Sequence, residues 1–281
     1  MKPEPMALEN FLREALTEDI GSGDITTMSC VPAEKRILGR VVAKEDFIVC
    51  GLEIFSRVFS LLDERAKVHL LAEEGSCVSK GALLATLEGP AAAILSGERV
   101  ALNLLQRLSG IATRTSEAVR QVRGTRARIT DTRKTTPGLR ALEKYAVRVG
   151  GGSNHRLGLS DGVLIKDNHI AAAGGITQAV RAARENIPHT LKIEVECETQ
   201  AQVHEALSAG ADIIMLDNMT CESMAEAVTL VGGRALTEAS GNMGDKDLRA
   251  VAETGVDLIS VGALTHTVRA CDISVKLDMA D

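Results

Sequence analysis

Aromatic side chains are almost missing from this 281-residue chain, which has no Trp, one Tyr (Tyr145) and four Phe. Single-stranded nucleic acid is gripped by stacked aromatic rings, so that mode of binding is excluded. A basic surplus is missing as well. Lys plus Arg number 32 against 38 Asp plus Glu, a net charge of −6, where nucleic-acid binders carry excess positive charge. No apolar run approaches the ~18 residues that a membrane-spanning helix requires. Met1 to Asp19 contains no basic segment leading into an apolar stretch, so no secretory signal is expected. The six cysteines (Cys30, Cys50, Cys77, Cys197, Cys221 and Cys271) include no C-x-x-C pair. That spacing predicts buried, reduced thiols in a cytoplasmic protein rather than disulfides. No G-x-G-x-x-G follows a strand, so the dinucleotide-binding fingerprint is absent. What remains is ordinary globular material, 45% hydrophobic and 25% charged. It suffices for one large domain or two modest ones.

The first third of the chain reads differently from the rest. Leu8, Phe11, Leu12 and Leu16 share one face of a helix over residues 6–18. Residues 39–51, 68–71 and 83–87 read as strands, 52–62 as a helix, and 91–108 and 111–122 as two helices. From Arg126 onward the pattern alternates. Strands are predicted at 126–130, 163–166, 191–196, 213–217, 234–239 and 258–261, with helices at 176–185, 200–209, 221–230 and 245–254. Repeated βα units predict a parallel sheet, open or closed into a barrel. A weak internal repeat, Ala209-Gly-Ala-Asp-Ile-Ile and Thr254-Gly-Val-Asp-Leu-Ile, places a glycine stop and an aspartate ahead of two of the strands.

Each of these strands runs into polar or glycine residues. The endings are Asp131-Thr132-Arg133-Lys134, Lys166-Asp167-Asn168-His169, Glu196, Asp217-Asn218, Glu238-Ala239-Ser240-Gly241 and Gly262-Ala263. Strand ends of this kind build the active face of an α/β barrel. Arg133, Lys134 and Lys166, with His155-Arg156 after Gly150-Gly151-Gly152, aim several cations at one volume, which implies a polyanionic substrate. Arg140, Lys144 and Arg148 recur every four residues and read as a solvated helix face. Glu196 and Asp217 end adjacent strands and read either as salt-bridge partners or as ligands of a sugar or of Mg²⁺ carried by phosphates. Glu194 points to the same side as Glu196. Ser240-Gly241-Asn242 and Gly262-Ala263 offer backbone N–H groups for a phosphate. No Ser-His-Asp triad and no metal-ligand His spacing is present. Transfer chemistry on a phosphorylated sugar, driven by electrostatic stabilisation, fits this set.

The stretches Asp131-Thr-Arg-Lys-Thr-Thr-Pro-Gly138, Glu143-Lys-Tyr-Ala146, Gly150-Gly-Gly-Ser-Asn-His-Arg-Leu-Gly158 and Ile165-Lys-Asp-Asn-His169 closely resemble the quinolinate phosphoribosyltransferases, type II phosphoribosyltransferases. The resemblance runs from Glu18 to His266. It implies an N-terminal α/β sandwich-like domain (1–111, with the tail 267–281) and an incomplete, roughly seven-stranded α/β barrel (112–266). It implies transfer of phosphoribose from phosphoribosyl pyrophosphate to quinolinate with loss of CO₂, in NAD biosynthesis, with Mg²⁺ as cofactor. It also implies a cytoplasmic homodimer with shared active sites. Carried over motif by motif, Thr132, Arg133, Lys134, His155, Arg156 and Lys166 would line the substrate site, with Arg99 reaching in from the partner subunit. Glu196 and Asp217 would bind ribose and metal. Ser240, Gly241, Asn242, Gly262 and Ala263 would hold the 5-phosphate. Lys134, Lys166, Glu196 and Asp217 are the candidate catalytic groups, and either lysine could assist decarboxylation. Asn242 departs from the Ser-Gly-Gly of many members, although Asn accepts the left-handed backbone that this loop needs.

Three other readings compete. One is a relative in the same family, such as the molybdate-operon homologue, with another anionic acceptor. A second is a Schiff-base lyase with Lys166 as nucleophile. The third is a biotinyl- or lipoyl-like carrier over residues 73–88, which lacks the Met-Lys-Met-like tip that such a carrier needs.

Overall fold

Amphipathic patterning sets the elements in the computed structural model, which describes residues 3–278. The chain forms two compact units. The first comprises the chain to Ser116, Pro137–Gly151 and the chain from Val268. Helices α1 (Pro5–Ile20) and α2 (Ile25–Cys30) precede strands β1 (Arg36–Ala43) and β2 (Phe47–Ile48). Helix α3 (Leu52–Leu62), strands β3 (Lys67–Leu70), β4 (Cys77–Val78) and β5 (Leu83–Pro90), and the long helix α4 (Ala91–Gln121) follow. Helix α5 (Arg140–Val149) and the final strand β12 (Ile273–Asp278) complete this unit. Its sheet is antiparallel, in the order β12-β1-β5-β3, with β2 and β4 as a separate pair. In β1 burial alternates strictly at first, so Ile37, Gly39 and Val41 face the core. Helix α3 buries Leu52, Ile54, Phe55, Val58 and Phe59 on one stripe, with the two Phe rings edge to face at 5.1 Å. The carrier-like stretch 73–88 supplies β4 and most of β5.

Two expectations change in this unit. Helix α4 is continuous, where the sequence predicts a break between 108 and 111. Gly110 sits inside it because the Arg269 carbonyl lies where a Cβ would be. A glycine in a helix costs about 1 kcal/mol, and close packing here requires it. Gly110→Ala is therefore expected to lower the melting temperature by about 3–10 °C, the overpacking range of about 1–3 kcal/mol. An unchanged melting temperature in calorimetry would refute this. The second change is that residues 137–151, placed in the barrel by the expected 112–266 division, group with the first unit. Fully buried Glu143 of α5 takes both Nε (2.9 Å) and Nη2 (2.6 Å) of Arg107 on α4, which fixes the helix there. Lys144, read as solvated, is 3% exposed.

The second unit comprises Glu117–Thr136 and Gly152–Thr267. Its strands are β6 (Arg128–Thr130), β7 (Val163–Ile165), β8 (Ile193–Cys197), β9 (Ile213–Asp217), β10 (Leu236–Ser240) and β11 (Leu258–Ser260). Helices α6 (Asp167–Ala173), α7 (Ile176–Asn186), α8 (Gln200–Ser208), α9 (Cys221–Val231), α10 (Leu248–Glu253) and α11 (Ala263–His266) lie between or after them. All pairings are parallel, in the order β6-β11-β10-β9-β8-β7. A single bridge, Thr130 to Ser153, stands where a seventh strand would close the barrel. The barrel is incomplete. Helix α10 starts three residues later than its pattern, because the Asp247 carboxylate caps the Arg249 and Ala250 N–H groups.

The internal repeat has a structural cause. Gly210 (φ 85°) and Gly255 (φ 90°) end helices in the left-handed region. The aspartate that follows each one, just ahead of a strand, binds the start of the preceding strand beside it. Asp212 accepts the Ile193 N–H at 2.8 Å, and Asp257 accepts the Thr237 N–H at 2.9 Å. Burial opposes ionisation of both, but these N–H bonds and the guanidiniums of Arg184 and Arg126 hold both carboxyls below their usual range. The repeat is a latch at the strand beginnings, opposite the end where active sites of such barrels lie.

Candidate active site

Strand register decides which side chains share the barrel interior. Glu196 pairs with Met215, which pairs with Glu238. Ser240 pairs with Asp217 one step further on. Alternation along each strand then puts Lys166, Glu196, Asp217 and Ser240 on one face at the strand ends. Glu194 and Glu238 lie on the same face, each two residues before a strand-end group. The sequence therefore carries the same Glu-x-polar spacing twice, in Glu194-Val195-Glu196 and Glu238-Ala239-Ser240. Glu238 was legible only as a strand ending. Its role was missed, and this spacing was the available signal.

At the upper rim Lys166 Nζ meets Glu196 Oε2 at 2.7 Å, so the salt-bridge reading of Glu196 holds in this state. Asp217 accepts Asn218 Nδ2 at 2.6 Å, and Asn218 is left-handed (φ 55°). Gly241 (φ 91°) and Asn242 (φ 51°) follow β10 in the same region, and the Asn218 side chain fills the space a Gly241 Cβ would need. After β6, the Lys134 N–H donates to Thr132 Oγ1 at 3.0 Å. The Lys134 carbonyl accepts the Thr265 hydroxyl at 2.8 Å, and the Lys134 stem runs beside Gly262. Arg133 and Lys134 are exposed, and Ala263 opens α11 behind Gly262. Arg99 lies exposed on α4 in the other unit.

The segment after the glycine run holds the remaining cation. Buried Asp131 accepts Asn154 Nδ2 at 2.6 Å and the His155 N–H at 2.9 Å. Arg156 Nη1 donates to the Gly162 carbonyl at 2.8 Å, while its buried Nε has no hydrogen-bond partner. Burial, and then the charge of Arg133, shift Arg156 below the ordinary guanidinium range.

Beneath the rim lies the one cluster of three potential ligand side chains among the described residues, His155, Glu194 and Glu238. His155 Nε2 is 3.0 Å from Glu194 Oε2 and 3.7 Å from Glu238 Oε1. These residues line a cleft of about 450 Å³ with Arg128, Arg156 and Lys192. Burial, and then the Glu194 charge, push Glu238 up to about 8. A carboxyl raised in the fold binds more protons folded than unfolded between its ordinary value near 4.5 and about 8. Its contribution is complete below that window and is lost as pH rises through it. The wild-type melting temperature should fall between pH 5 and 9 more steeply than that of Glu238→Gln. Parallel curves would show that Glu238 titrates normally.

Among the described residues no helix is long and apolar enough to cross a membrane, and the six cysteines are free thiols, of which Cys50, Cys197 and Cys271 are buried as expected while Cys30 and Cys77 are exposed. The family models for the N-terminal and C-terminal domains of quinolinate phosphoribosyl transferase match residues 24–109 and 111–276. The chain is 49% identical over 276 residues to a probable carboxylating nicotinate-nucleotide pyrophosphorylase of Bacillus subtilis (strain 168), covering 98% of this chain and 95% of that one. Its structure is similar to that of NadC from Streptococcus pyogenes, with a TM-score of 0.94, 41% identity and full coverage of both chains. The nicotinate-nucleotide pyrophosphorylase of Francisella tularensis also gives a TM-score of 0.94, at 39% identity, covering 99% of this chain and 98% of that one. Cation-rich strand ends, an incomplete parallel barrel and matches over nearly the whole length agree, and the chain belongs to the quinolinate phosphoribosyl transferase family.

Proposed function

We infer that this chain joins quinolinate to the phosphoribosyl group of phosphoribosyl pyrophosphate and releases pyrophosphate and CO₂, giving nicotinate mononucleotide for NAD biosynthesis. The observation that carries this reading is the row Lys166, Glu196, Asp217 and Ser240 on one face at the strand ends, with exposed Arg133 and Lys134 after β6 and the Arg156 guanidinium near enough to feel the charge of Arg133. Quinolinate is a dicarboxylate, and Arg133 and Arg156 supply the two forks it requires, with Thr132 and His155 beside them. Arg99 of one subunit completes the site of its partner in a homodimer. Glu196 and Asp217 face the sugar and stabilise positive charge developing at its C1. The turn Ser240-Gly241-Asn242 and the Gly262-Ala263 backbone receive the 5-phosphate.

The donor set fits Mg²⁺. Glu196 and Asp217 offer oxygen ligands from adjacent strands, and such a pair holds Mg²⁺ together with substrate oxygens and water. Bound there, Mg²⁺ neutralises pyrophosphate charge. Lys166 balances Glu196, so it arrives already paired. Among the described residues the Lys134 ammonium makes no ion pair, and Lys134 is assigned to the negative charge left at the ring when CO₂ departs. Incubation with quinolinate, phosphoribosyl pyrophosphate and Mg²⁺, following CO₂ and nicotinate mononucleotide beside a nicotinate control, tests the reading. Product from quinolinate alone supports it. Product from nicotinate alone, or from neither, refutes it.

A further inference from the structure

We propose that Glu194 is a positioning residue that holds His155 from below and so sets the aim of Arg156. The inference rests on the assignment of Arg156 to quinolinate. The need for such a support follows from the incomplete barrel. Residues 153–156 occupy the seventh-strand position without a ladder. One bridge and two backbone bonds, Ser153 N–H to Ile129 O (2.8 Å) and Asp131 N–H to Ser153 O (3.2 Å), tie this segment to β6. Side chains therefore supply the rest of its geometry. Asp131 holds Asn154 and the His155 N–H from one side. The His155 ring holds it from the other, with its Nδ1 accepting the Arg156 N–H at 2.8 Å.

That contact fixes the tautomer. A nitrogen that accepts an N–H carries a lone pair, so in the neutral ring the proton sits on Nε2. Nε2 faces Glu194 Oε2 at 3.0 Å, with Glu238 Oε1 at 3.7 Å. Glu194 is 3% exposed and Glu238 1%. Glu194 Oε1 and Glu238 Oε1 make no hydrogen bond of their own. Burying a carboxylate is costly unless it holds something, and the histidine is what Glu194 holds. The same tautomer argues against a metal at this cluster, because a protonated Nε2 has no lone pair to donate.

The chain of contacts is Glu194, then His155 Nε2–H, then the Nδ1 grip on the Arg156 backbone, then the Arg156 guanidinium. Loosening it should harm quinolinate binding and spare the phosphoribosyl side. Glu194→Met keeps the volume and removes the acceptor, while Glu194→Gln keeps an acceptor oxygen. A buried hydrogen bond left unmet costs about 1–3 kcal/mol, so Glu194→Met should raise KM for quinolinate about 30-fold. KM for phosphoribosyl pyrophosphate should move less than about twofold, and Glu194→Gln should restore most of the loss. Histidine-selective ¹⁵N NMR of the wild type should show His155 as the Nε2–H tautomer at neutral pH, a readout independent of whether the methionine variant folds. Equal changes in both KM values, no change in either, or an Nδ1–H tautomer would each overturn the proposal. So would stoichiometric Zn²⁺ that shifts the His155 resonances in the wild type and not in Glu194→Gln. Arg156→Ala separates the two readings. If it leaves KM for quinolinate unchanged, the substrate assignment has failed. If it raises KM while Glu194→Met does not, the positioning role alone has failed.

Discussion

Replacing Arg156 with alanine is expected to lower kcat/KM for quinolinate about 10³-fold. The guanidinium is half-buried, feels the charge of Arg133 against those of Glu194 and Asp161, and keeps an unmet Nε donor that a carboxylate from outside would meet. Removing one partner of a buried ion pair costs about 3–5 kcal/mol, and each 1.4 kcal/mol is a factor of ten. The fold should survive, because in the described residues the side chain makes one hydrogen bond to the rest of the unit, to Gly162. Steady-state kinetics beside a melting curve check this. A loss of melting temperature that matches the loss of activity would make Arg156 a structural residue.

The second large effect concerns Arg99. Arg99→Ala is expected to be nearly inactive alone, as is Arg156→Ala. Mixed after subunit exchange, the two should recover about a quarter of wild-type activity, since half of randomly formed dimers are hybrids and each hybrid has one intact site of two. Native mass spectrometry would establish the exchange. Hybrids that form without recovering activity would show that Arg99 serves its own subunit or serves structure.

The parallel barrel was readable because βα alternation and strand-end chemistry are local properties of the sequence. The strands at 213–217 and the helix at 52–62 have the predicted bounds. The unbroken helix α4 was not readable, because the reason for Gly110 lies on a carbonyl at position 269. The motif block was legible as a family mark, but its residues divide by role. Arg133 and Lys134 follow the end of β6, and Arg156 lies on the loop ahead of β7. Glu143 instead grips Arg107, and the Tyr145 hydroxyl donates to Glu74 at 2.9 Å, with Glu74 also accepting the Gly51 and Leu52 N–H groups. Those contacts come from residues far apart in sequence, and periodicity carries no trace of them. The Lys144 burial escaped for the same reason, because an i, i+4, i+8 row of cations says only that three side chains share a helix face. Glu194 and Glu238 were visible as letters, but their meeting depended on register across β8, β9 and β10.

The pairing of β12 with β1 sets an order of events during synthesis. Val41 pairs in register with Val275, so the antiparallel sheet has an open flank until residues 273–278 have been made. The second unit, all of whose strands lie between 128 and 260, can assemble earlier. Closing so long a loop is slow, although its entropic penalty grows only logarithmically with length. A nascent chain therefore carries a bare β1 edge, with Ile37 and Val41 on its core face, while the barrel is already forming. That edge is a template for strand addition by a neighbouring chain. The step most exposed to misassembly is thus the arrival of one short strand, not the chemistry-bearing barrel.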